Sequence, residues 1–70
     1  MGEEIQSVRF SSGDQVQQIR QRGLVRLYGP HFVDEVLGGE FTLKPAPDAP
    51  PLRGSNQIPR LFPKEDFRKI

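Results

Sequence analysis

Apolar and polar positions along the first 44 residues fall into short, separately punctuated runs. In "IQSVRF" Val8 and Phe10 flank Arg9, an alternation that predicts a first strand with one face inward. The next run, "SSGDQVQQIRQRG", carries the signals of a helix over residues 13–22. Ser12 and Gln15 match a capping box. Asp14 stands in the first turn and Arg20 and Arg22 in the last, each complementing the helix dipole, and Gly23 suits the left-handed position after the end. Only Val16 and Ile19 mark an inward face, with Leu24 folding back behind them, so this helix needs a sheet to lean on.

"LVRLY" predicts a second strand through Val25 and Leu27. "GPHFVDEVLGG" alternates poorly as a strand. As a helix it places Pro30 at the first position, where the missing amide costs nothing, and puts Phe32, Val33, Val36 and Leu37 on one side. A short helix is the favoured reading. "EFTLK" alternates cleanly as a third strand, with Phe41 and Leu43 on one face, and Pro45 ends it. The expected fold class is therefore α+β: a small three-stranded sheet with one or two short helices over residues 1–44. Its expected core is Val8, Phe10, Val16, Ile19, Leu24, Leu27, Phe32, Val36, Phe41 and Leu43, supplying about 3–5 kcal/mol of net stability.

The pattern changes at Pro45. "PAPDAPP" predicts a polyproline II spacer over residues 45–57, ending in the flexible joint "LRGSNQ". "IPRLFPKEDFRKI" over residues 58–70 then returns to large apolar side chains: Ile58, Leu61, Phe62, Phe67 and Ile70. An entropic tail has no need of them. Either this arm folds back over a thin core, or it is a linear motif, held out on the spacer, that orders on a partner. The second reading is preferred, with a proline-rich, extended C-terminal tail beyond the compact module.

Composition narrows the picture modestly. The chain has 70 residues, enough for one domain, and no cysteine, so disulfides and thiolate zinc sites are excluded and a reducing intracellular compartment fits. No apolar run reaches the length of a membrane span, and the acidic start "MGEEIQSVRF" does not read as a signal peptide. Net charge is +1; residues 1–44 hold five basic and six acidic side chains, and residues 45–70 hold five and three. This bias is weaker than a dedicated nucleic-acid binder shows.

Candidate chemistry is sparse. His31 is the only histidine, and Asp34 and Glu35 beside it offer neither metal-ligand spacing nor a paired acid and base. No glycine loop has phosphate-binding spacing. The expectation is no catalytic residues, no metal and no cofactor. Arg20, Arg22 and Arg26 gather around the end of the first helix and the following strand, where they either form a solvated face or meet an acidic partner. Together with Leu61, Phe62 and Phe67 of the arm they are the expected partner-binding residues.

In size and economy the chain resembles small phage-encoded regulators that bind the host RNA polymerase and alter initiation or termination. That resemblance implies a non-enzymatic protein–protein interaction module, an RNA polymerase partner, a cytoplasmic setting, no cofactor and a monomer when free. The alternative is a small nucleic-acid-binding domain that uses the arginine patch with His31 or Tyr28.

Overall fold

The computed structural model describes residues 9–70. It is a single antiparallel sheet of five strands: β1 (Gln15–Gln18), β2 (His31–Leu37), β3 (Glu40–Lys44), β4 (Phe62–Pro63) and β5 (Phe67–Lys69). The spatial order is β4-β3-β2-β1-β5, and a 3-10 turn at Lys64–Asp66 joins β4 to β5. The architecture is thus mostly β, and the expected α+β module with short helices is overturned.

The order forces the sheet to curl. Flat, its two edge strands would lie about 19 Å apart, four inter-strand spacings of about 4.8 Å. The three-residue turn between those edges rises only about 6 Å. The sheet therefore rolls into a small barrel, and the turn seals it at both sides. Lys64 N–H donates to the Gly39 carbonyl at the β2–β3 corner (3.1 Å), and Ile19 N–H at the end of β1 donates to the Asp66 carbonyl (2.8 Å).

Residues 13–22 form no helix. Ser11, Gly13 and Asp14 build a tight turn instead: Asp14 N–H donates to the Ser11 carbonyl (3.0 Å), and Ser11 N–H donates to the Asp14 carboxylate (2.8 Å). Gly13 has φ +94°, a left-handed value that the first turn of a helix does not admit. Capping and turn chemistry use the same residue types, because both satisfy backbone amides with short polar side chains. Ser12 Oγ donates to the Asp34 carbonyl (2.8 Å) rather than capping a helix. β1 then pairs with β2 and β5, and Val16 is fully buried.

Residues 31–37 are a strand, not a helix, and the reason is a β-bulge. Val33 pairs with Leu43 and Val36 with Phe41, with the register shifting between Val33 and Glu35. In a regular strand, residues three apart face opposite sides. The extra residue, Asp34, turns Val36 back to the side of Val33, so the spacing imitates a helix. Thr42 Oγ1 accepts from Glu35 N–H (3.1 Å) at the bulge. "EFTLK" is a strand as expected, and a tight turn with Gly38 at φ +65° joins it to β2.

The core comprises Val16, Val33, Phe41 and Leu43 at 0% exposure and Phe62 and Phe67 at 5%. Four phenylalanines interlock edge to face, with centroids 5.1 Å apart for Phe10–Phe41, 5.4 Å for Phe41–Phe67 and 5.8 Å for Phe62–Phe67. The last third of the chain is therefore no extended arm. It folds back, supplies both edge strands and completes the core. The expected spacer is ordered too: Ala49 N–H donates to the Ala46 carbonyl (3.0 Å), Leu52 N–H to the Leu43 carbonyl (2.8 Å) and Arg60 N–H to the Leu52 carbonyl (2.9 Å). These bonds attach a small hairpin, residues 52–60, to the side of β3. The expected core residues Ile19 and Leu24 are exposed, at 55% and 98%. Val8 and most of the expected first strand lie outside the described residues, and Arg9 and Phe10 are not in a strand.

Candidate interaction face

Residues 19–30 form the segment that connects β1 to β2. Its middle, "LVRLY", keeps the expected two-residue period without becoming a strand. Val25 and Leu27 pack against the core, while Leu24, Arg26 and Tyr28 point outward. No backbone ladder holds it. The Gln18 side chain does so instead: its carbonyl oxygen accepts from Leu27 N–H (2.8 Å), and its amide nitrogen donates to the Val25 carbonyl (3.3 Å). Gln18 shares the inward face of β1 with Val16, so an amide stands where a neighbouring strand would have supplied bonds.

A second tie comes from Arg22. Its guanidinium clasps both Asp66 oxygens, Nε to Oδ2 at 2.8 Å and Nη2 to Oδ1 at 3.0 Å, and Nη2 also reaches Glu65. Arg20 Nε lies 3.9 Å from Asp66 Oδ1. The Asp66 side chain is only 4% exposed. The Arg22 hydrogen bonds, aided by the charges of Arg22 and Arg20, hold its carboxyl below the ordinary 3.8 against the opposing effect of burial, and the same bonds raise the Arg22 pKa.

The expected site residues therefore separate. Arg22 is committed to an internal clasp. Phe62 and Phe67 are core side chains and offer a partner no anchor of their own; they form the floor of a cleft of about 230 Å³. Leu61, 45% exposed, stands on that cleft with Leu24 and Arg60. Arg20 and Arg26 line a second, more polar cleft of about 380 Å³ beside Tyr28, where the Arg26 guanidinium carbon lies 5.5 Å from the ring centroid. Sequence reasoning missed Leu24 and Arg60. The alternation of "LVRLY" held the signal for Leu24, since it shares the outward phase with Arg26 and Tyr28. Arg60 had none, because its place depends on the hairpin.

His31 Nδ1 lies 3.2 Å from the Gly29 carbonyl, a local contact at the start of β2. Among the described residues no group of three or more histidine, cysteine or carboxylate side chains is placed to hold a metal ion. No helix among them is long and apolar enough to cross a membrane.

Fold and face together define a small antiparallel β-barrel that displays one pinned, apolar-tipped loop. Comparison with protein-family models, with characterised proteins and with solved structures finds no match for the chain.

Proposed function

We propose that the chain is a non-enzymatic interaction module that binds a larger protein assembly through the face built by residues 19–30. The observation that carries this reading is the exposure of Leu24 (98%), Tyr28 (79%) and Ile19 (55%) on one loop whose backbone is fixed from beneath by Gln18 and Arg22. Exposed apolar side chains on a mobile loop lose entropy when they dock. On a pinned loop that cost is reduced, which favours affinity. The proposed partner-binding residues are Arg20, Arg26 and Leu61, joined by Leu24 and Tyr28.

RNA polymerase in a bacterial cytoplasm is the partner to test first, on the resemblance in size and economy to phage-encoded regulators. The test is affinity capture from bacterial lysate with the full chain and with a Leu24→Asp, Tyr28→Ala variant, both checked for dispersed amide resonances. Retention of RNA polymerase subunits by the full chain and their loss with the variant is the expected result. Equal capture by both would place the binding face elsewhere.

A nucleic-acid reading is favoured by one feature, the Arg26–Tyr28 pair beside Arg20 in a polar cleft. It predicts oligonucleotide affinity that falls steeply with salt, through counterion release.

A further inference from the structure

Three clefts run in succession across the loop 19–30 face and the hairpin. The first, about 310 Å³, lies at Ile58, Arg60 and Leu61. The central one, about 230 Å³, shares Arg60 and Leu61 with it and adds Leu24, Val25 and Arg22. The third, about 380 Å³, meets the central cleft at Gln18 and carries Arg20, Arg26 and Tyr28. They form a band, not a bowl. A band with successive depressions suits an extended chain, whose alternate side chains point toward the surface.

The charges on this band are one-sided. Arg20, Arg22, Arg26 and Arg60 line it, and the two carboxylates nearest them, Asp66 in the lining and Glu65 beside it, are both already held by Arg22. Among the described residues no carboxylate lies within 4.0 Å of Arg26 or Arg60. The apolar points between them, Ile58, Leu61 and Leu24, are exposed at 57%, 45% and 98%. We infer that the band takes an extended acidic segment of a protein partner, seating aliphatic or aromatic side chains at Leu24 and Leu61 while its carboxylates meet Arg60, Arg26 and Arg20. This rests on the reading of the chain as a protein-binding module and specifies the chemistry of the partner. A single strand of nucleic acid matches the charge but not the anchors: sequence-tolerant binding of that kind stacks successive bases on aromatic side chains. Here Tyr28 is the one exposed aromatic on the band, and the two phenylalanines of the central cleft, Phe62 and Phe67, are buried at 5% exposure with no face open for stacking.

The test uses fluorescence anisotropy with a labelled synthetic peptide of alternating aspartate and leucine, a matched peptide with lysine for aspartate, and an oligothymidylate. The full chain is titrated, and amide shifts are followed for the acidic peptide. Binding of the acidic peptide alone, with shifts at Leu24, Arg60 and Leu61, is expected. Leu24→Asp and Arg60→Glu should each weaken it about tenfold or more, the size of a hot-spot loss. Both side chains are exposed, so the variants should keep the wild-type spectrum elsewhere. Equal binding of both peptides, no binding of the acidic one, preferential binding of the oligothymidylate, or self-association that Leu24→Asp abolishes would each overturn the inference. If lysate capture still depends on Leu24 while the acidic peptide fails, only the acidic-segment inference falls. If both fail, the module reading falls with it.

Discussion

At the scale of single residues, Asp66 is where closure of the barrel converges. Its side chain takes the Arg22 fork, and its backbone carbonyl accepts from Ile19 and Arg20 at 2.8 and 3.3 Å. A carboxyl whose folded-state pKa is depressed favours the fold at every pH above its unfolded value. That contribution is lost as pH falls through the depressed folded value. The urea midpoint is therefore expected to fall as pH drops below 3.8, and Asp66→Asn should lower the midpoint at neutral pH while flattening the acid limb. A residual slope should persist from Asp14, whose carboxyl is also held low, first by the Ser11 amide and then by Lys69. An acid limb unchanged in Asp66→Asn would contradict this. Leu24 has the opposite character. Leu24→Asp should change stability by no more than about 0.5 kcal/mol, because a nearly fully exposed side chain has little contact to lose.

At the scale of elements, one device stands in place of the expected first helix and another in place of the ladder of the expected second strand. The first is the Ser11–Asp14 turn, which reverses the chain into β1. Gly13→Ala should destabilise by about 1–2 kcal/mol, since a Cβ disfavours the left-handed backbone. Nothing lies within 4 Å of the Cβ that would be added, so the cost is conformational and not steric crowding by neighbours. The second device is the Gln18 side chain. Gln18→Ala removes two hydrogen bonds to the loop and should cost about 1–3 kcal/mol at the ordinary net value per bond. Hydrogen exchange should show the change locally: the Leu27 amide should lose protection while the amides of Val33 and Leu43 keep theirs relative to the global stability. Uniform loss across the barrel would show that the loop and the sheet unfold as one unit.

At the scale of the whole molecule, the core draws on residues beyond position 44, since Phe62 and Phe67 belong to it. Phe41 is fully buried and meets Phe10 from one side and Phe67 from the other, so the two ends of the described chain close on one side chain. Phe41→Ala should destabilise by about 3–5 kcal/mol, which consumes much of what so small a domain possesses. Truncation after Arg60 removes β4, the 3-10 turn and β5, and with them Phe62, Phe67 and the Asp66 clasp. The truncated chain is expected to show collapsed amide dispersion and no cooperative unfolding. A truncated chain with a dispersed spectrum would mean that the first three strands fold alone.

The local pattern by itself determined the features that depend on neighbours in sequence. The alternation of "EFTLK" specifies β3, and Pro45 ends it. The two-residue period of "LVRLY" specifies an extended segment with Val25 and Leu27 inward. The large apolar residues of "IPRLFPKEDFRKI" signal burial somewhere. Only tertiary structure decided where. Phe62 pairs across from Phe41, and Phe67 from Gln18, contacts between residues far apart in the chain that no local period encodes. The bulge at Asp34 gave a strand the spacing of a helix, and the Ser11–Asp14 turn gave a strand entry the residues of a helix cap. The candidate face divided in the same way. Arg20, Arg22 and Arg26 were legible as a cluster, but the commitment of Arg22 to Asp66 is a pairing across 44 positions. It exists because the rolled sheet brings the 3-10 turn against the end of β1, and closure of the sheet is a property of strand order, not of any single segment.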